Sequence, residues 1–478
     1  MFDARCLFRT AVVVACVVAL PATLTAQAAI VSQPKIDTTA IRFDDLVRTA
    51  LAQNLRIQSI AAETRGIRSE ARNVRSPFDP TLGVSAATGD QQYGAQVSGL
   101  LPTGTGYAGS LFSSAQTGGL SRNNAFQATL SQPLLRGFGF ASIRNTIRST
   151  DESIAAAEAR LSQTRVDVIA TVGTLYAQLI AAHQQEAVQA RSLSRAEELG
   201  AAYGELRRLD KITEVDLITA QLGVTTRRGE FISARRTRQV AQDNLVAAVW
   251  GSRSAERFPS DLVVLMPSDS VQPFVASTLD EVTTRAISNR PNIEAARREV
   301  LRVQFTERVA RNSLLPQLDL SAVLTNTRDD IFNSVTGTSQ RAATNPTKGS
   351  VGLTLSQPLL NMGHRADRER AAAAVEFARV ELADAENVVR VEVRTAYRDV
   401  AVNRELVRLA TESSQLARRQ YEGERARLDL GLTDIFRVLQ VNDQVAKVEQ
   451  LEASARLSLA TAYVRMRAVV GVGAVDGR

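Results

Sequence analysis

Cysteine, histidine and tryptophan are nearly absent from this 478-residue chain, which holds two, two and one of them. Both cysteines, Cys6 and Cys16, fall in residues 1–28, a segment that reads as a removable secretory leader. Arg5 and Arg9 precede an apolar stretch over 11–20, and Ala26-Gln27-Ala28 has the small-x-small form of a cleavage site. Val13-Val14-Ala15-Cys16 loosely resembles a lipoprotein cleavage box, but the apolar run continues past it, which favours the simple leader. A chain cleaved after Ala28 carries no thiol, which excludes disulfides and thiolate metal sites together. His183 and His364 have no Cys, His or paired carboxylate at ligand spacing, and no Ser–His–acid or Cys–His grouping stands out. The expectation is a protein without metal, cofactor or catalytic centre, and so not an enzyme.

Aromatic residues are 5% of the chain, thin for a large conventional core, whereas 44% apolar and 22% charged residues argue against disorder. After residue 30 no run approaches the roughly 18–20 apolar residues of a membrane-spanning helix. The segment 262–266 is too short and runs into Pro267. If the cleaved chain crosses a membrane, it must do so as a closed barrel. The net charge of +7 falls to +6 once the leader's two arginines and one aspartate are gone. Arginines alternate with acids (Arg390, Glu392, Arg394; Arg404, Glu405, Arg408) and form no long basic run, as expected of solvated helix faces with no nucleic-acid partner.

What is present is a duplication. Leu130-Ser131-Gln132-Pro133-Leu134-Leu135 recurs as Leu355-Ser356-Gln357-Pro358-Leu359-Leu360. Phe43-Asp44-Asp45-Leu46 likewise matches Leu279-Asp280-Glu281-Val282, Pro80-Thr81-Leu82 matches Pro316-Gln317-Leu318, and Val249-Trp250-Gly251 matches Val469-Val470-Gly471. The offset drops between the first and second of these landmarks and the hexapeptide, so the first copy holds extra residues in its middle region. The division that follows is a leader 1–28, an N-terminal extension 29–40, repeat 1 at 41–251, a Pro-containing equatorial linker 252–277, repeat 2 at 278–471 and a tail 472–478.

Each repeat reads as helix, strands and long helical hairpin: 41–75, 80–135 and 140–250 in the first, 279–312, 316–360 and 364–470 in the second. Thr278 with Glu281 forms a capping-box pattern. Pro80 and Pro316 mark a helix-to-strand switch, since the residue before proline is pushed out of the helical region. Pro133 and Pro358 mark the strand-to-helix switch, because proline ends ladder pairing. Leu82, Val84 and Ala86 share one face, as do Leu318, Leu320, Ala322 and Leu324, with Phe126, Ala128 and Leu130 matching Val351, Leu353 and Leu355. The opposite face is polar, the pattern of an outer-membrane strand, although alternation alone fits a soluble sheet equally well. Segments 93–101 and 107–113 read either as further strands or as a long loop. Gly104-Thr105-Gly106-Tyr107-Ala108-Gly109 fits a dinucleotide-binding pattern but lacks the strand before and helix after it, and reads as a turn.

Apolar residues then recur at sevens, at Ile154, Leu161, Val168 and Leu175, and at Val393, Val400, Val407, Tyr421 and Leu428, which calls for side-by-side helix packing. Breakers at Asp210-Lys211-Ile212-Thr213 and Leu430-Gly431-Leu432-Thr433 turn each hairpin far from the strands. Two strands per repeat give about four per chain, too few to close a membrane barrel, so other copies of the chain must complete it. The alternative is a non-conducting periplasmic or surface coiled-coil scaffold.

The chain resembles the TolC-like outer-membrane efflux and secretion proteins. The resemblance rests on Ser277-Thr278-Leu279-Asp280-Glu281 with Ala286 and Asn289-Arg290-Pro291, on Leu315-Pro316-Gln317-Leu318, on both LSQPLL segments, and on Gly431-Leu432-Thr433 followed by Val438-Leu439. It implies an α+β membrane protein: a homotrimer whose twelve-stranded β-barrel lies in outer-membrane lipid and continues as a long α-helical barrel into the periplasm. It further implies a passive conduit of a tripartite efflux or type I secretion system, with a periplasmic adaptor protein meeting the hairpin tips and an inner-membrane pump driving transport. Carried over residue by residue, the periplasmic gate falls on Asp216, Asp434, Arg437 and Gln440. The family's usual acidic pair is replaced by Arg437 and Gln440, which implies a weaker preference for cations at the closed end.

Overall fold

The computed structural model describes residues 40–87, 92–115, 121–138, 140–251, 266–267, 278–333, 338–341 and 347–471. The leader, the lipoprotein-like box, most of the linker and the tail lie outside the described residues.

Repeat 1 begins with a short strand, β1 (Ala40–Ile41), and two helices, α1 (Phe43–Gln53) and α2 (Leu55–Asn73). Strands β2 (Thr81–Ala87), β3 (Gln92–Leu100), β4 (Gly106–Ala115) and β5 (Ser121–Pro133) follow, then α3 (Phe140–Arg208) and α4 (Glu214–Trp250). Repeat 2 adds β6 (Met266–Pro267), α5 (Leu279–Asn289), α6 (Pro291–Asn312), β7 (Gln317–Asn333), β8 (Thr338–Arg341), β9 (Thr347–Ser356), α7 (Met362–Asp429) and α8 (Ile435–Val470). β1 and β6 pair in parallel, joining the start of repeat 1 to the linker.

Two expectations are corrected. The single helices expected over 41–75 and 279–312 are each broken into two. In repeat 2 the cause is Pro291, which holds Arg290 extended (φ −75°, ψ 123°). In repeat 1 Asn54 does the same work without proline: its side chain accepts from Arg56 N at 2.9 Å and donates to Ala248 O at 2.9 Å. The strand count also exceeds about four. Segments 93–101 and 107–113 are mostly strand, and the sheet runs β2-β3-β4-β5-β7-β9, with β8 pairing the outer end of β7. Gly104 at φ 83° makes the β3–β4 turn, so the GxGxxG pattern is part of a hairpin.

The two glycines at the hairpin ends explain the matched Trp250-Gly251 and Val470-Gly471. Both have positive φ, 52° and 75°. A Cβ at Gly251 would lie 2.7 Å from Gln53 O, and one at Gly471 would lie 3.2 Å from Asn289 O. Each hairpin thus closes against the break between the two short helices of its own repeat. Gly251→Ala is expected to cost about 2 kcal/mol or more, from backbone conformation and backbone overlap together. Chemical denaturation of the purified variant checks this; an unchanged midpoint would contradict it.

At 69 and 68 residues, α3 and α7 are each roughly 100 Å long. Their cores are assembled from valine, alanine and tyrosine. Val282, Ala286, Ile293, Val389, Val393, Ala396, Val400, Tyr463, Met466 and Val470 bury one another where α5, α6, α7 and α8 meet. In repeat 1, Leu46, Val47, Ala50, Val172, Tyr176, Leu245 and Val249 are buried in turn, with the Phe43 and Tyr176 rings 5.6 Å apart. Along α7 a seam at Val393, Ala396, Val400, Ser414, Ala417 and Tyr421 is buried, following the expected sevens. One window of α3 is apolar enough by composition to cross a membrane, yet α3 packs against α2, α4, α6 and α8 along its length.

Candidate channel-forming surfaces

The sheet carries one apolar face across all six long strands. The register puts Leu82 opposite Val97 and Val84 opposite Ala95, then Ala95 opposite Leu111 and Leu111 opposite Phe126. It continues with Leu130 opposite Ala322, Ala128 opposite Leu324, Leu320 opposite Leu353 and Leu318 opposite Leu355. Directly opposed residues share a face. Leu82, Val84, Val351, Leu353 and Leu355 are exposed, with nothing covering them. The other face presents Ser85, Gln96, Ser110, Gln127, Ser321 and Thr354. Tyr107 lies over Gly99, where a Cβ would come 2.5 Å from the phenol oxygen, and Tyr93 sits at the far end of the same face. Aromatic residues at both margins of an apolar band mark the two interfaces of a bilayer.

The helices form a strip with two open flanks. α3 packs on α4 and α8, and α8 packs on α7, so the order is α4–α3–α8–α7. Nearer the sheet α2 and α6 take over from α4 and α8. Both flanking helices keep unpartnered apolar residues. On α4 these are Val215, Ile218, Leu222, Ile232 and Val240; on α7 they include Val388, Val402, Leu409 and Leu416, which fall on one seven-residue repeat.

The hairpin tips lie side by side. Ile212 in the first tip packs with Tyr203, Ala220, Leu428 and Ile435, so the two breakers share one small core. Burial, helped by the nearby Asp216 and Asp434, raises the Tyr203 phenol above its ordinary range. Asp210 takes a positive φ of 49° and pairs with Arg207 at 3.4 Å. Gly431 turns the second tip at φ 72°. Leu209, Val215, Leu430, Leu432 and Phe436 are exposed around both turns.

The expected gate residues have local tasks. Asp216 completes a capping box with Thr213, its carboxylate accepting from Thr213 N at 3.1 Å and Oγ1 at 2.6 Å. Asp434 caps α8, accepting from Arg437 N at 2.8 Å. The Arg437 guanidinium donates to Gln440 Oε1 at 2.9 Å. No ion pair joins it to Asp216 or Asp434 among the described residues, so the arginine stays exposed in the first turn of α8. Sequence reasoning missed Arg227, which bridges Glu230 and Asp443 and so ties α4 to α8 near the tips. No three acidic or His/Cys residues gather as a metal group among the described residues. His364 instead lies with its Nε2 3.3 Å from Arg136 Nη1 at the rim of the sheet.

This arrangement recurs in known proteins. Residues 46–251 and 282–472 match the family of outer membrane efflux proteins. The chain belongs to that family. No curated protein matches it. Among solved structures, this outer membrane efflux protein is similar to the outer-membrane channel OprN, at 20% identity and a TM-score of 0.69, with 90% of each chain covered. It is similar to the Campylobacter jejuni CmeC outer membrane channel at 17% identity and a TM-score of 0.66, covering 90% of this chain and 86% of that one. The Neisseria gonorrhoeae MtrE outer membrane channel, in its open state, gives 18% identity, a TM-score of 0.66 and coverage of 90% and 89%.

As an outer membrane efflux protein, the chain places its apolar sheet face in the lipid of the outer membrane and its helices in the periplasm. The switch residues Pro80, Pro133, Pro316 and Pro358 all lie at the helix-facing rim. Pro133 is the last residue of β5, and Leu134 N bonds Leu318 O at 2.6 Å. Pro80 and Pro316 each stand one residue before a strand.

Proposed function

We propose that three copies of this chain form a passive conduit across the outer membrane and periplasm, the exit duct of a tripartite efflux or type I secretion system. The observation that carries this is the pairing of an apolar sheet face with a roughly 100 Å helical strip whose two flanks, α4 and α7, are apolar and unpartnered. A flank of one kind meeting a flank of the other is a heterologous contact, which closes into a ring when the rotation allows. A scaffold that passes nothing has no use for an apolar sheet face. Reconstituted into a planar bilayer, the purified protein is expected to conduct ions as single steps. Silent membranes containing correctly inserted protein would favour the scaffold.

The tips at 210–213 and 430–433, with their exposed leucines and Phe436, suit docking by a periplasmic adaptor protein that an inner-membrane pump engages. At the periplasmic gate, Arg437 and Gln440 replace an acidic pair, and Asp216 and Asp434 have part of their charge engaged by helix N-termini. Three exposed guanidinium groups around one opening would repel cations. Arg437→Asp is expected to move the reversal potential in a salt gradient toward cation selectivity. An unshifted potential would remove Arg437 from the conduction path.

A further inference from the structure

Among the described residues β2 pairs only with β3, and β9 pairs only with β7, so each has a free edge there. β2 runs away from the helices and β9 runs back toward them. The two free edges of different copies therefore meet antiparallel, as every other pair in the sheet does.

The sheet is also staggered by a defined amount. From Thr81, the first residue of β2, the direct partners across the sheet are Ser98, Ala108, Thr129, Val323 and finally Ser350. Ser350 lies six residues before the helix-side end of β9 at Ser356. The apolar band slopes by the same amount. On β2 it occupies Leu82, Val84 and Ala86, one, three and five residues above that line; on β9 it occupies Val351, Leu353 and Leu355, one, three and five below it. A drop of six residues at about 3.3 Å each, over six strands about 4.8 Å apart, corresponds to a strand tilt of about 35°. Closed membrane barrels have strands tilted by roughly 35–45°.

We infer that β9 of one copy pairs with β2 of the next with Ser356 beside Thr81, and that all six long strands of each copy belong to the barrel. Three copies then supply eighteen strands, where the family resemblance implied twelve. This register sets Leu82 against Leu355, Val84 against Leu353 and Ala86 against Val351, so the apolar band runs unbroken through each junction at one height. Gly83 and Ser85 face Thr354 and Gly352 on the other side. A one-residue slip would put Leu and Val against Thr and Ser at every junction. Because barrel width grows roughly linearly with strand number, the mouth is about one and a half times as wide as a twelve-stranded one. Its described lining is mostly small and polar, with Leu100, Phe112 and Val323 as its larger apolar members, and carries charge only at Asp319 and Lys348. Such a mouth leaves discrimination to the narrow end.

The inference rests on the trimeric reading, and cysteine cross-linking separates the two, since the cleaved chain has no thiol of its own. Val84→Cys with Leu353→Cys is expected, on mild oxidation in membranes, to convert most of the protein into covalent species up to roughly three times the monomer mass. Either single variant should stay monomeric on denaturing gels. Leu111→Cys with Leu353→Cys tests the twelve-stranded alternative, in which β4 is the edge and β2 and β3 stand outside the ring. Cross-linking of that pair instead of the first would overturn the inference and leave the conduit intact. If neither pair links and native mass measurement gives a monomer, the trimeric reading falls with it.

Discussion

Leu111→Arg is expected to abolish most insertion of the protein into the outer membrane, while Ser110→Arg, one residue away, is expected to be tolerated. Leu111 stands in the middle of the apolar face, between Ala95 and Phe126, and 58% of its surface is exposed. An arginine facing lipid at that depth costs roughly 2–4 kcal/mol. Ser110 points to the opposite face, opposite Gln96 and Gln127, where a charged side chain meets water. Quantifying folded protein in outer-membrane fractions for both variants checks the pair. Equal loss in both would mean that the sheet is buried on its two faces, and equal tolerance would mean that neither face meets lipid.

That contrast was partly legible in the sequence. Alternation at Leu82-Val84-Ala86 and Leu318-Leu320-Ala322 announced one apolar face, because a strand's period of two survives any tertiary context. The four proline switches located both ends of the strand regions for an equally local reason. In β3 and β4 the glycines Gly94, Gly99, Gly106 and Gly109 dilute the alternation, so the sequence fits strands and a long loop alike. Only the structure shows why they are tolerated: Ser85 and Phe112 lean into the space beside Gly94, and Tyr107 covers Gly99.

The helices divide in the same way. Seven-residue spacing revealed the seam of α7, whose one-sided burial keeps the pattern clean. The break at Arg290 has a local signal in Asn289-Arg290-Pro291, whereas the break at Asn54 depends on a bond to the distant Ala248 O. Helix caps explain why a gate is hard to read from residue identity. Asp216 and Asp434 sit at positions where an acid is wanted for any helix N-terminus, so their identity alone does not mark a channel constriction. Pairings between distant helices, such as Arg227 with Asp443, have no sequence signature at all.

The same limit applies to the polar cluster in the middle of the helical strip, where Glu449→Ala is expected to cost about 3 kcal/mol. Glu449 is 3% exposed and binds Arg418 Nε at 2.7 Å, with Arg191 at 3.6 Å. Beside it, Arg195 donates to Asn442 at 2.7 Å and stacks on the Tyr421 ring at 5.3 Å. Burial pushes the Arg195 guanidinium below its ordinary value, and Glu449 is the chief influence opposing that shift. Removing the carboxylate leaves three guanidinium groups from α3 and α7 facing one another without an anion between them. The loss sits at the lower end of what breaking a buried ion pair costs, because Arg191 and Arg418 are about half exposed and can swing to water. Arg191→Ala, which removes only the longer and wetter contact, is expected to cost under about 1 kcal/mol. Denaturant titrations of the two variants measure both numbers. A Glu449→Ala midpoint no lower than that of Arg191→Ala would show that water already reaches the cluster and that the carboxylate does not hold α3, α7 and α8 together.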